Sequence, residues 1–210
     1  MTTPTDERPA SPAAGAPGAR PPGDAGAGDP ARARHVLSLL TPHLRRPAEV
    51  DHAAALVTAV AGLPAGTLVG SSLVPASSGS PQHLGLVVLT TSPLPEEVVA
   101  AVAAAAGADG SGAQVAAQAT SGAVDRVAVF PGRERLVGVL AAADLLAASA
   151  VEALVGLGGL AVPADAVVDT RGHVRPRLAD GRLVLDVQPS RGGRWVPFEP
   201  PVQHACCSAH

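Results

Sequence analysis

The chain has 210 residues, 47% of them hydrophobic and 16% charged, enough apolar material for a buried core in one or two domains. The net charge of −3 is uneven, and the excess of Arg over acidic residues in 171–210 is too small to argue for a nucleic-acid partner. All 15 basic residues are Arg, and neither Lys nor Tyr occurs; this excludes an internal pyridoxal Schiff base, a phosphate-loop Lys and a Lys or Tyr general acid.

Residues 1–29 are Pro, Ala, Gly and Thr with scattered charge and no apolar periodicity, so a disordered arm is expected. No basic segment followed by an apolar run opens it, so no signal peptide is expected. Asp29 and Pro30 suit the cap and first position of a helix, predicted to run to about Leu40. Pro47 and Glu49 open a second helix, in which Val50, Ala53, Val57 and Val60 recur at helical spacing before Gly62 and Pro64 end it.

Thr67–Val74 and Leu84–Thr90 read as strands joined through a Ser/Gly/Pro connection. Pro95, Glu96 and Glu97 begin a third helix that runs to Gly107. Gln114–Ala119, Arg126–Phe130 and Arg135–Leu140 read as short strands, the last two separated by a Pro131-Gly132 turn. A fourth helix is predicted over Ala142–Val155. The apolar stretch Leu136–Val162 is interrupted by Asp144 and Glu152, which suits amphipathic burial better than a membrane.

His173–Leu178 and Arg182–Val187 flank Asp180-Gly181, a type I′ hairpin signal, with Leu183, Leu185 and Val187 on the buried face. Pro176 places the first of these strands at an edge, and Arg194–Phe198 adds a short last strand. The expected fold is α/β: one domain over residues 30–199, a mixed sheet with helices packed on it, then a flexible tail over 200–210. Asp125–Leu146 resembles half of a cystathionine-β-synthase-type nucleotide-sensing module, carried by the strand Leu136–Leu140 and by Asp144 early in a helix. The chain has no second copy of this pattern.

The first candidate for chemistry is the C-terminal cluster His204, Cys206, Cys207 and His210, which places both cysteines of the chain beside two imidazoles. These are ligands for a soft or borderline metal such as Zn(II) or Cu(I). The adjacent Cys pair resembles the C-terminal vicinal cysteines of mercuric reductases, but no flavin-binding part accompanies it, so the resemblance implies metal handling without that activity. The spacing is not that of a structural zinc site, and a plain solvent-exposed tail is the competing reading.

A second candidate is His173, Arg175 and Arg177, which alternate onto one face of a strand and suit a phosphate or carboxylate, unless they merely protect a sheet edge. Gly156-Leu-Gly158-Gly159-Leu-Ala161 fits a loose dinucleotide pattern, but reads better as a loop because no strand and helix flank it in the required order. Ser77, Ser78 and Ser80 near His83 lack a nucleophile elbow. His35, His43 and His52 would form a metal site only if two helices paired, and Asp144 and Glu152 share a helix face.

Two functions follow as expectations. One is a cytoplasmic soft-metal- or thiol-handling protein that uses the C-terminal cluster. The other is a non-enzymatic interaction or assembly module with a protein partner and without nucleic acid or membrane. No catalytic constellation is recognised.

Overall fold

The computed structural model describes residues 35–76, 81–108 and 124–201. The predicted arm, the strand expected at Gln114–Ala119, Ser77, Ser78 and Ser80, and the cluster from His204 to His210 lie outside these residues.

The first half builds one sheet and two helices from β1 (His35–Leu39), α1 (Pro47–Thr58), β2 (Leu68–Val74), β3 (His83–Thr90), α2 (Glu96–Ala106) and β4 (Arg126–Val129). Sheet one has the order β1-β3-β2-β4 and is antiparallel throughout. Its two central strands carry no Asp, Glu or Arg because both faces are covered. Along β3, Leu86 and Val88 point to the helices while Val87 and Leu89 point to the second sheet.

Local chemistry sets the helix ends. Pro47 opens α1, and the Glu49 carboxylate accepts the free N–H groups of Arg45 and Arg46 at 2.7 and 3.0 Å. At the far end of α2, Gly107 takes the left-handed conformation (φ 63°) and caps the helix.

The second half is β5 (Val139–Ala141), α3 (Ala142–Ala148), β6 (Ala153–Gly156), β7 (Val167–Asp169), β8 (Arg177–Ala179), β9 (Arg182–Pro189) and β10 (Trp195–Pro197). Sheet two has the order β5-β7-β10-β9-β6, with β8 also paired to β9. It is mixed: β6 runs parallel to β9, and β10 parallel to β7. The turn at Asp180-Gly181 forms as expected, both residues at positive φ (50° and 74°), and Leu183, Leu185 and Val187 are buried between the sheets. The strand expected over His173–Leu178 is reduced to β8, with residues 173–176 extending outside any strand because their side chains and backbone are engaged across the seam to β4 and α1.

The layers are therefore helices α1 and α2, sheet one, then sheet two, with α3 packed on the core between the sheets. A core of α1, α2 and one face of sheet one includes Val50, Val57 and Val102. A second core fills the space between the sheets and takes in Phe130, Leu145 and Leu185. The sheets are knitted along β4 and the segment before β8. Val127 donates to the Pro176 carbonyl at 2.7 Å, and Val124 bridges Leu178.

Three predicted elements change identity. The first helix is instead β1, because Val36 and Leu40 face one core, Leu37 and Leu39 the other, and five residues pair with β3. Tertiary pairing outweighs the local Asp29-Pro30 signal. The fourth helix stops at Ala148. Ser149 turns extended (φ −143°), its hydroxyl donates to the Leu145 carbonyl, and the next apolar run becomes β6 against β9. Glu152 thus leaves the helix that holds Asp144; its carboxylate accepts the Leu183 N–H at 3.2 Å. The strand expected at Arg135–Leu140 becomes a 3₁₀ turn at Arg133–Arg135 followed by β5. β4 and β5 then fall in different sheets, so the part resembling half a nucleotide-sensing module does not form one paired unit.

Candidate functional site

A buried ionic cluster forms where α1, β4, the segment before β8 and the residues after β10 converge. Asp51 follows Val50, whose side chain seats α1 on sheet one, so the carboxylate sits at the edge of that contact. Arg126 opens β4 and donates to Asp51 through Nη1–Oδ1 (2.7 Å) and Nη2–Oδ2 (3.1 Å). The same guanidinium reaches Glu199 through Nε at 2.8 Å. Arg175, its side chain only 5% exposed, holds Asp51 from the other side with Nη2–Oδ2 at 2.8 Å. His173 Nε2 lies 3.0 Å from Glu199 Oε1.

The electrostatics follow from these bonds. Burial alone would raise the Asp51 pKa, but the hydrogen bonds from Arg126 and Arg175 outweigh it and bring it down to about 2. Burial disfavours the Arg126 cation, yet Asp51 and Glu199 hold its pKa above the ordinary value. Arg133, at the 3₁₀ turn after β4, differs: burial first, then the nearby Arg175, lower its pKa. Among the described residues its guanidinium has no hydrogen bond or ion pair, although Arg126, Arg175 and Arg177 each hold a carboxylate.

The structure places the predicted anion-binding residues in two groups. His173 and Arg175 join the cluster, while Arg177 turns to Asp186 on β9 at 2.7 and 3.1 Å. All three are engaged by protein carboxylates, although the Arg177 side chain stays 39% exposed. The residues that sequence reasoning missed are Asp51, Arg126, Glu199 and Arg133. Arg126 lies 75 residues from Asp51 and 73 from Glu199, so no local spacing signalled the cluster.

A cavity of about 780 Å³ opens between the start of α1 and the end of α2. His43 and His52 line it together, whereas His35 lies apart in a hollow of about 230 Å³ beside β3. Glu49 also lines the large cavity, but its carboxylate is committed to the N-terminus of α1. Among the described residues, no group of three or more His, Cys, Asp or Glu side chains is placed to hold a metal. His83 is buried with Nδ1 3.0 Å from the Pro81 carbonyl. The Gly156–Ala161 loop follows a strand, β6, rather than the predicted helix, but it forms a tight turn at Gly158 (φ 74°) with no helix after it before β7. The dinucleotide geometry is not built.

No helix among the described residues is long and apolar enough to cross a membrane. No protein-family profile matches the chain, and no curated protein or solved structure is significantly similar to it.

Proposed function

We propose that this protein is an interaction and assembly module without chemistry of its own, and that the outer face of sheet two meets a second copy of the chain. The observation that carries this reading is a sheet face with exposed apolar side chains on which none of the three described helices packs. The pairing registers put Val139, Val167 and Val155 on that face, and Phe198 joins it beside Asp186. These four side chains are 49%, 40%, 37% and 51% exposed. Exposed apolar side chains gathered on one face and set among polar groups are the raw material of docking sites in folded proteins.

Charge supports a partner of the same kind. The carboxylates on this face, Asp169 and Asp186, are matched by Arg194 at 4.0 Å and Arg177 at 2.7 Å. A face that neutralises itself meets its own copy without like-charge opposition. Sedimentation velocity on the full chain over a range of concentrations tests the proposal. A concentration-dependent dimer, lost in the Val155→Asp/Phe198→Asp variant, supports it; a wild-type chain that stays monomeric overturns it.

A second reading rests on one sequence observation: both cysteines of the chain, Cys206 and Cys207, lie between His204 and His210. In that reading the tail binds Zn(II) or Cu(I) through vicinal thiolates in the cytoplasm, where thiols stay reduced. Native mass spectrometry of the reduced chain, titrated anaerobically with each ion, tests it against Cys206→Ser/Cys207→Ser. Equal binding by both proteins rules it out.

A further inference from the structure

A cavity of about 400 Å³ opens beside the ionic cluster, lined by Arg133, Val129, Phe130, Leu136, Val137 and Val174. We propose that this cavity binds a small organic acid, with its carboxylate on the Arg133 guanidinium and its apolar body against the valine, leucine and phenylalanine wall.

Three observations converge on that ligand. The first is charge. Arg126, Arg133 and Arg175 lie close enough for their cations to oppose one another, and Asp51 and Glu199 form ion pairs with only two of them. Asp51 is shared by Arg126 and Arg175, and Glu199 by Arg126 and His173, so Arg133 feels Asp51 only from a distance, which does not offset its burial and the neighbouring cations. The second is availability. The Arg133 side chain is partly buried and makes no hydrogen bond or ion pair among the described residues, so its donors are free to form a fork on a carboxylate.

The third is the wall. Phe130, Leu136 and Val174 are buried core residues whose edges floor the cavity, and Val137, 68% exposed, stands at the rim. One cation over an apolar floor suits a ligand with one anionic head and a hydrocarbon body, rather than a bare polyanion. Glu134 also lines the cavity, but its side chain is 76% exposed and lies 3.9 Å from Arg135, so it disfavours a second negative charge at the mouth without neutralising Arg133.

The test uses the full chain and three probes: octanoate, its neutral analogue octanamide, and inorganic phosphate. Heteronuclear NMR follows the Arg133 side chain and the methyl groups of Leu136 and Val174. Octanoate is expected to shift all three saturably, with octanamide binding at least about tenfold more weakly, the loss expected for one charge-assisted hydrogen-bonded contact. Arg133→Gln breaks no intramolecular bond, so it keeps the fold, and it reduces octanoate affinity by a similar factor. Octanamide binding as well as octanoate, undiminished binding to Arg133→Gln, phosphate binding as tightly as octanoate, or no saturable shift at millimolar octanoate would each overturn the proposal.

Discussion

Arg126 and Asp51 face each other squarely, Nη1 to Oδ1 at 2.7 Å and Nη2 to Oδ2 at 3.1 Å, and thereby pin helix α1 to the edge strand β4. The pair does not stand alone. Arg175 approaches Asp51 from the segment that joins the two sheets, so a single carboxylate ties the helical layer, sheet one and that seam together.

Asp51→Asn is expected to destabilise the fold by about 2–3 kcal/mol. Removing one partner of a fully buried pair costs roughly 3–5 kcal/mol because the other charge stays buried and unmatched. Here the Asp51 side chain is 26% exposed, which lowers the figure, while Arg175 at 5% keeps it well above that of a surface pair. Urea denaturation of both proteins at neutral pH checks this.

The same carboxylate predicts a pH dependence. Its pKa is lowered in the folded chain from 3.8 to about 2, so the unfolded chain takes up its proton first as the pH falls. The contribution is therefore complete above about pH 4 and lost as the pH falls through 2, amounting to roughly 2 kcal/mol. Glu49, at the start of α1, titrates in the same window, its pKa lowered to about 2 chiefly by the Arg45 backbone N–H. The difference between wild type and Asp51→Asn isolates the Asp51 part. A variant that loses stability as steeply as wild type between pH 4 and 2 contradicts the assignment.

Gly70 sits where the register between β2 and β4 shifts. A Cβ there would overlap the Arg126 carbonyl and meet the Val124 side chain at 3.0 Å. The obstruction is backbone, which cannot swing aside as a long side chain does. Gly70→Ala is expected to cost about 1–3 kcal/mol, the range for overpacking, and to loosen the Asp51–Arg126 contact. Thermal denaturation measures the first, and faster exchange of the Val127 amide, which bonds the Pro176 carbonyl, reports the second.

Elements whose chemistry is local were legible from residue order alone. Pro47 and Glu49 open α1, Gly107 closes α2, Asp180-Gly181 turns the hairpin, and Leu183, Leu185 and Val187 go inward. Each depends on a φ value, a cap or an alternation expressed within a few residues. Fold class was legible for the same reason, since these elements together make a mixed α/β chain.

Tertiary structure decided the rest. Val36–Leu40 and Ala153–Gly156 are short apolar runs whose composition suits helix or strand, and only the ladders to β3 and β9 select strand. Whether β4 and β5 pair is a choice of sheet, and neither strand carries that information in itself. The ionic cluster depends still more on distant partners. Arg175 meets Asp51 across 124 residues, a separation at which no periodicity survives, because the contact exists only after helix, sheet and seam have packed. The sequence by itself determined local conformation, through backbone sterics and capping. Which charges would meet, and that Arg133 would form no ion pair among the described residues, was decided by the packing that brings them into one place.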